Sequence, residues 1–195
     1  MTVATERRER DRARRRQAII TAARQMAEAE GWDAVTIRRL ADRIEYSQPV
    51  LYSHFPGKGG IIHAVAVEGF AELRVILHNA RRAAGFPEAA LGELAEAYVG
   101  FALEHPALYD AMFTLSTELP FGRPEAPSEL HAAFAEFMET VTPLAGDRDP
   151  ETLAEVAWSA LHGIATLTRA GRLRPDHQQA RLAMLTSQLA GMPSV

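Results

Sequence analysis

The segment 36–58, TIRRLADRIEYSQPVLYSHFPGK, limits the possible fold more than any other part of the chain. Apolar residues recur at i, i+3, i+4 and i+7 from Ile37 to Ile44, which predicts one buried face of a short helix. Thr36 and Ser47 are residue types that cap helix N-termini, and Pro49 is tolerated in a first helical turn. Two such short helices around a tight turn predict a helix-turn-helix, which places its second helix in the major groove of DNA.

The distribution of charge agrees with this prediction. Residues 1–60 contain twelve Lys and Arg against eight Asp and Glu, a net charge of +4. Residues 61–195 contain nine Lys and Arg against seventeen Asp and Glu, a net charge of −8, so the chain as a whole carries −4. A basic N-terminal module on an acidic body is expected where only one end meets phosphate.

Several other classes of protein are disfavoured by composition and motifs. The absence of cysteine excludes disulfides and thiolate metal sites, and fits a cytoplasmic location. No apolar run approaches the roughly 20 residues of a membrane span, and the start lacks the apolar segment of a secretory signal. Neither HExxH nor G-x-S-x-G nor G-x-x-x-x-G-K-[ST] occurs, so we expect no enzyme activity, cofactor or metal.

Residues 17–61 resemble the DNA-binding domain of the tetracycline-repressor (TetR) family of transcription regulators. The matching elements are AIITAARQMAEAEGWDAVTIRRLADRI and SQPVLYSHFPGK, and the spacing Leu51-Tyr52-x-His54-Phe55-x-x-Lys58 is the most specific of them. Two positions depart from the family pattern. Glu45 stands where the turn usually has glycine, and Gly59 stands where an acidic residue usually follows the lysine.

The resemblance and the chemistry of the side chains together predict the DNA contacts. Gln48 and Pro49 open the second helix and would read base edges, and by resemblance Arg38 is a third candidate. The resemblance places phosphate contacts at a further set of residues, which are Thr36, Ser47, Tyr52, His54 and Lys58. Three of them also have an ordinary structural interpretation: Lys58 as a solvated lysine, Tyr52 as a sideways-packed tyrosine and His54 as a helix-end packing residue.

The sequence predicts an all-α fold of about nine helices in three regions. Residues 1–12 form a basic arm, expected to be disordered or to follow the minor groove or nearby phosphates, two equally weighted alternatives. Residues 13–60 form the helix-turn-helix domain, and residues 61–195 a helical effector-binding and dimerisation domain. Within these regions we expect helices over about 13–30, 59–83, 87–104, 107–117, 128–143 and 150–169, with a last one after Asp176. Ser128 and Asp149 are the expected caps of two of these helices, and the stretch 118–128 is expected to be a loop.

Aromatic residues and methionines in the body make a mostly apolar ligand site possible, because such sites need apolar walls with a few polar groups. The segment WSALHG (158–163) resembles a Trp-His-Gly feature of one TetR subgroup. The candidate lining residues are Tyr98, Phe101, Tyr109, Met112, Phe113, Phe134, Phe137, Met138, Trp158 and His162. For each of them, ordinary core packing is the more common role of an aromatic residue at helical spacing.

Small and apolar residues on the last two long helices suggest a homodimer interface. These residues are Ala157, Ala160, Gly163, Leu182, Leu185 and Leu189, although packing within the chain is about as common a role. Dimerisation also suits the function, since paired recognition helices roughly 34 Å apart match successive major-groove faces of double-stranded operator DNA.

The favoured function is a repressor released by an unidentified, largely apolar small-molecule effector, with no membrane partner. The alternative is a DNA-binding regulator or architectural protein without an effector.

Overall fold

Every regular element in the described part of the chain is a helix. The computed structural model describes residues 3–115, 119–120 and 123–191, with side chains from residue 5 onwards. The α-helices are α1 Val3–Glu30, α2 Ile37–Arg43, α3 Gln48–His54, α4 Lys58–Ala83, α5 Pro87–Glu104, α6 Pro106–Asp110, α7 Ser128–Val141, α8 Pro150–Arg169 and α9 Gln178–Leu189. Short 3-10 turns cover Trp32–Ala34, Thr142–Leu144 and Pro175–His177. The all-α prediction with about nine helices is confirmed.

The contacts divide the chain into two units. Unit 1 comprises Met1–Gly69 and Ala107–Leu119, and unit 2 comprises Phe70–Pro106 and Pro120–Val195. In unit 1, α1 packs on α2, and α2 packs on α3. In unit 2, α5 packs against α7, α8 and α9. The contact boundary within α4 therefore lies after Gly69, and the domain boundary after residue 60 stays a prediction.

The first helix begins earlier than the sequence indicated. We expected a start near residue 13, but α1 runs from Val3 to Glu30. Residues 3–16 contain neither Gly nor Pro, and Ala, Arg and Glu are strong helix formers. Glu6 and Arg10 also stand four residues apart, in the order that favours a helix. Gly31 ends the helix with φ of 81°, as expected for a C-terminal glycine.

Two of the four predicted helix caps are present. The hydroxyl oxygen of Thr36 accepts from the Arg39 N–H at 3.2 Å, and the carboxylate of Asp149 accepts from the Thr152 N–H at 2.8 Å.

The other two predicted caps form no capping side-chain bond, although Ser47 is at the predicted position. Ser47 holds the N-cap position of α3 without a capping side-chain bond. Pro49 lies two residues on and has no N–H, so one of the two usual partners of a capping hydroxyl is missing. Ser128 is the first residue of α7 rather than its cap, because Pro127 occupies the cap position. The Ser128 hydroxyl donates instead to Glu129.

The helix predicted over 107–117 is divided in the structure. It consists of α6 and a π-helical turn, Ala111–Leu115, while residues 116 and 117 lie outside the described part. Of the predicted loop 118–128, residues 119–120 and 123–127 are non-helical, and 118, 121 and 122 lie outside it too. The bounds of α5 and α8 agree with the expected 87–104 and 150–169.

A buried carboxylate holds α4 to α7 within unit 2. Glu136 on α7 is almost fully buried, and its oxygens lie 2.9 Å from an Arg81 guanidinium nitrogen and 3.1 Å from His78 Nδ1. A buried charge is costly unless it is paired and hydrogen-bonded, and Glu136 meets both conditions. Among the described residues, no helix has the length and apolar character needed to cross a bilayer.

Candidate nucleic-acid interface and effector site

The α2–α3 pair presents a polar face over a small apolar base. The base consists of three buried side chains: Leu40 on α2, Leu51 on α3 and Phe55 just after α3. On the outer side, Gln48 and Pro49 are exposed at the start of α3, and Tyr52 is 56% exposed one turn later. Arg38 on α2 is exposed as well. The residues predicted to read bases are therefore available at the surface of unit 1.

The turn between the two helices has a left-handed residue. Glu45 has φ of 57°, and no other non-glycine residue in the described part has positive φ. The Tyr46 N–H reaches back to the Ala41 carbonyl at 3.0 Å, which closes the turn. Glu45 therefore adopts the left-handed conformation for which glycine is usually required.

Some of the side chains predicted to contact phosphate already form hydrogen bonds within the protein, and others are exposed at its surface. Thr36, Ser47 and Tyr52 are exposed, although the Thr36 hydroxyl also caps α2. Lys58 is half-buried, and its Nζ donates to the Trp32 carbonyl at 2.6 Å. Because an ammonium group has three N–H donors, this bond fixes the side chain and leaves donors for a phosphate.

His54 lies at the end of α3, close to three arginines of α1. Burial lowers its pKa from 6.5, and the nearby positive charges of Arg12, Arg15 and Arg16 lower it further. Its Nδ1 is buried and has no hydrogen-bond partner in the described ranges.

Two structural residues near the interface were missed by the sequence analysis. The Trp32 indole N–H donates to the Ala107 carbonyl at 2.7 Å, within unit 1. The carboxylate of Glu28 accepts from the N–H groups of Ala107 and Leu108 at 3.1 and 2.9 Å, which caps the start of α6. Because these partners are more than 70 residues apart in sequence, no local pattern indicates them.

In unit 2, four of the predicted ligand residues form one aromatic cluster on α5, α7 and α8. The Trp158 indole N–H donates to the Tyr98 hydroxyl at 3.1 Å. The rings of Tyr98 and Phe137 meet edge to face with centroids 5.6 Å apart, and those of Trp158 and His162 lie 6.1 Å apart. Tyr98 is fully buried, whereas Trp158 and His162 keep part of their surface exposed.

The remaining predicted ligand residues are distributed over both units. In unit 2, Phe101 is buried and its ring packs on His105, while Phe134 and Met138 are half-buried. In unit 1, Tyr109 and Met112 are buried, and the half-buried Phe113 ring lies 4.6 Å from that of Tyr109. Their membership of one ligand site stays a prediction.

The environment of His162 on α8 favours its neutral form. Its pKa is lowered from 6.5 by burial and, to a smaller extent, by the charge of Arg169. A neutral imidazole offers one donor and one acceptor without a charge, which suits an apolar ligand that carries a few polar atoms.

The predicted dimer residues are partly internal to the chain. Ala157, Leu182 and Leu189 are buried within it, while Ala160, Gly163 and Leu185 are half-buried. The exposed apolar side chains of α8 and α9 are different ones: Val156 at 51%, Leu167 at 41% and Met184 at 64%. Val156, Ala160, Gly163 and Leu167 follow i, i+4, i+7 and i+11 spacing, so they share one face of α8.

Comparison with known proteins identifies the family. Residues 19–65 match the family model described as "Bacterial regulatory proteins, tetR family". Residues 91–191, more than half of the chain, match the one described as "Tetracyclin repressor-like, C-terminal domain". The chain belongs to the TetR family. The Trp-His-Gly subgroup is not distinguished by these matches and stays a prediction.

Individual relatives of this TetR protein are also regulators or of unknown function. It is 28% identical over 159 residues to the uncharacterized HTH-type transcriptional regulator Rv0681 of Mycobacterium tuberculosis, covering 80% of this chain and 71% of that protein. It is 33% identical over 94 residues to the uncharacterized regulator YobS of Bacillus subtilis, 48% of each chain. A solved protein of unknown function from Rhodococcus sp. RHA1 superposes with a TM-score of 0.75 and 27% identity, over 92% of this chain and 95% of that one.

Family membership establishes the general activity. The TetR protein is a DNA-binding transcription regulator with an N-terminal helix-turn-helix and a C-terminal helical domain.

Proposed function

We propose that this TetR protein is a cytoplasmic homodimeric repressor that leaves double-stranded operator DNA when a small, largely apolar effector binds to unit 2. The observation that carries the proposal is the α2–α3 pair, because it exposes Gln48, Pro49 and Tyr52 over a buried apolar base. A helix anchored on one side and polar on the other is the form that enters a major groove.

Base recognition is assigned to the start of α3 and to Arg38. A glutamine can pair bidentately with adenine, an apolar ring can rest on a thymine methyl, and arginine suits guanine. Phosphate contacts are assigned to Thr36, Ser47, Tyr52, His54 and Lys58, which fix the position of the protein on the duplex.

The DNA part of the proposal is tested on a duplex selected from random sequences by the wild-type protein. Gln48→Ala should cost about 1–3 kcal/mol of discrimination at one base pair, measured by competition with single-base variants of that duplex. An equal loss on every sequence would assign Gln48 to the backbone instead.

Lys58→Gln is the matched test of a phosphate contact, because glutamine retains an N–H donor for the Trp32 carbonyl and removes the charge. It should weaken binding to all sequences and reduce the slope of log Kd against log salt by about one. An unchanged slope at unchanged thermal stability would make Lys58 a purely structural residue.

The effector part rests on the polar groups within the aromatic cluster of unit 2. The indole of Trp158 and the ring of His162 keep part of their surface exposed beside the buried Tyr98 and Phe137, and small-molecule sites combine polar and apolar groups in this way. A released repressor requires that the effector bind the DNA-free state more tightly than the DNA-bound state. A difference of about 1–3 kcal/mol is typical of such coupling.

The alternative, regulation without a small-molecule effector, is favoured by one observation. Tyr98, Phe101 and Phe137 are almost completely buried, so these three side chains leave no surface for a ligand in this conformation. The half-buried residues Phe134, Met138, Trp158 and His162 are therefore the ones that an effector would meet first.

The two alternatives are separated by a thermal-shift screen of uncharged aromatic and aliphatic compounds, followed by DNA release assays on the hits. A hit should release wild-type protein from the selected duplex and should lose potency against Trp158→Phe and His162→Leu. Phe86→Leu, at an exposed residue between α4 and α5, is the control and should respond as wild type does. Hits that stabilise the protein without releasing DNA would favour the alternative.

The dimer interface is proposed on the exposed face of α8 and on α9. A second copy of the chain would cover Val156, Gly163 and Leu167 on α8, together with the exposed Met184 of α9. Small residues such as Ala160 and Gly163 in the middle of this face let two helices approach closely. The buried Ala157, Leu182 and Leu189 would then support this face from within the chain rather than touch the second copy.

A further inference from the structure

A positively charged groove lies between the first half of α1 and the end of α3, both in unit 1. Its volume is about 360 Å³, and its lining residues are Arg8, Asp11, Arg12, Arg15, Ser53 and His54. The four residues from α1 precede residue 19, where the match to the family's DNA-binding domain begins. The match to the family model therefore does not include this part of the groove.

The positive charges in the groove are not neutralised by the protein. Arg8, Arg12 and Arg15 are exposed, and none of them has an ion-pair or hydrogen-bond partner for its side chain within the described ranges. Asp11 is the single carboxylate of the lining, so the lining carries a net charge of +2 with His54 neutral. Arg16 differs from them, because its guanidinium carbon lies over the Phe55 ring, 4.8 Å from the centroid. Three unpaired cations that face one cleft favour an anionic ligand.

The spacing of the arginines indicates what kind of anion fits. Arg8, Arg12 and Arg15 follow i, i+4 and i+7 spacing, so they share one face of α1. At about 1.5 Å per residue this row is roughly 10 Å long. One DNA strand carries a phosphate about every 3.4 Å along the helix axis, so the row spans about three consecutive phosphate intervals. A single small anion would use only part of it.

His54 supports the same assignment from the α3 side. Its ring lines the groove, and Nδ1 has no hydrogen-bond partner among the described residues. Burial and the charges of Arg12, Arg15 and Arg16 lower its pKa. An anion in the groove would offset those charges, so the ring could take up a proton and donate a hydrogen bond to it.

We propose that this groove binds backbone phosphates of duplex DNA, so that the arginines in the first half of α1 add an electrostatic contact to those of the helix-turn-helix. The proposal rests on the DNA binding proposed above. It assigns to the first half of α1 a positioning role without base specificity, because phosphate contacts carry no sequence information.

The test compares two double variants of the full-length protein with equal loss of charge. Arg12→Gln/Arg15→Gln removes two groove charges, and Arg10→Gln/Arg14→Gln removes two from the opposite face of the same helix. Kd is measured on the duplex selected by the wild-type protein, over a series of NaCl concentrations. The groove variant should lower the slope of log Kd against log salt by about 1.8, which is about 60-fold in affinity at 0.1 M salt. The opposite-face variant should keep the slope of the wild type.

Three controls make the outcome decisive. Arg12→Lys/Arg15→Lys retains the charge and should keep most of the slope, and circular dichroism should show native helix content in each variant. Equal losses in the groove and opposite-face variants, or no loss in either, would overturn the proposal while wild-type binding stands. Failure of the wild-type protein to bind any selected duplex would instead overturn the proposed function itself.

A separate arm distinguishes DNA from a free phosphate. Inorganic phosphate is titrated against wild type and the groove variant, with chemical shifts of the His54 ring followed by NMR. Saturation of the wild-type shifts by phosphate, together with an unchanged DNA salt slope in the groove variant, would assign the groove to a free anion and overturn the DNA assignment.

Discussion

Glu45 turns the chain between α2 and α3 in a conformation that L residues rarely adopt. Its φ of 57° costs an L residue about 1–2 kcal/mol relative to glycine. We predict that Glu45→Gly raises the free energy of unfolding by about 0.5–1 kcal/mol, because the greater freedom of glycine in the unfolded chain offsets part of the relief. Urea denaturation of the full-length protein measures the change.

Glu45→Ala is the control for the charge at this position. Alanine keeps the left-handed strain and removes the carboxylate, so its stability should stay close to that of wild type. A gain as large as that of the glycine variant would show that the carboxylate, and not the backbone, destabilises the turn.

His162 makes the stability of the protein depend on pH. Its pKa is lowered from 6.5 by folding, so below pH 6.5 the unfolded chain binds more protons than the folded one. The stability that the neutral ring contributes is therefore fully present above pH 6.5 and is lost as the pH falls through the folded-state pKa. We predict that His162→Gln loses less stability than wild type between pH 7.5 and 5.5.

Unfolding in urea at the two pH values tests this prediction, with a third measurement at pH 8 fixing the cost of the substitution itself. His54 has a lowered pKa too, so the variant should retain part of the pH dependence. Identical losses in both proteins would mean that His162 does not titrate in this range.

The sequence was informative about single residues wherever their environment is local. The caps at Thr36 and Asp149, and the exposure of Gln48 and Tyr52, follow from neighbours within one or two helical turns. The pairing of Trp158 with Tyr98 involves residues 60 positions apart, which no spacing predicts. For the same reason the sequence could not separate the buried from the accessible members of the aromatic cluster.

Among the elements, α4 lies close at Gly69 to α6 and to the π-helical turn that follows α6. A Cβ at this position would lie 2.6 Å from Met112 Sδ and 2.8 Å from Leu108 Cδ1, both on buried side chains. Overpacking of this kind costs about 1–3 kcal/mol. We predict that Gly69→Ala is less stable than Gly100→Ala by about that amount, in thermal or urea unfolding.

Gly100 is the matched control because it also lies within a long helix, α5, and an added Cβ would meet no atom within 4 Å. Alanine there should stabilise the helix by about 0.5–1 kcal/mol. Equal stability of the two variants would show that Met112 and Leu108 move aside without cost.

Element ends were predictable where Pro, Gly or a capping residue marks them. Pro87 and Pro150 open α5 and α8 at the expected positions, and Gly31 and Gly171 follow helix ends with positive φ. The start of α1 was not marked in this way, since the chain before residue 13 has no helix breaker. The π-helical turn after α6 has no recognised sequence signal, and it was predicted as ordinary helix.

For the whole molecule, the proposed dimer gives Gly163 a specific role. Within one chain a Cβ at Gly163 would meet nothing within 4 Å, so a side chain can begin at this position without a clash. We predict that Gly163→Leu raises the dimer dissociation constant at least about tenfold, which corresponds to roughly 1.4 kcal/mol, because the added side chain separates the facing helices. Analytical ultracentrifugation over a concentration series measures it.

Circular dichroism and the thermal transition of the same variant provide the control. Native helix content with weakened dimerisation would support the interface, and native dimerisation would place it elsewhere. Val156→Lys, on the same exposed face, should act in the same direction.

The bonds from Glu28 and Trp32 to Ala107 and Leu108 bear on how this regulator can be recombined with others. A chimera that exchanges only residues 19–65 would separate an indole and a carboxylate from the main-chain groups that they satisfy. To exchange operator specificity without loss of function, the segment 107–115 should therefore be replaced together with residues 19–65. The two replaced segments are far apart in the sequence.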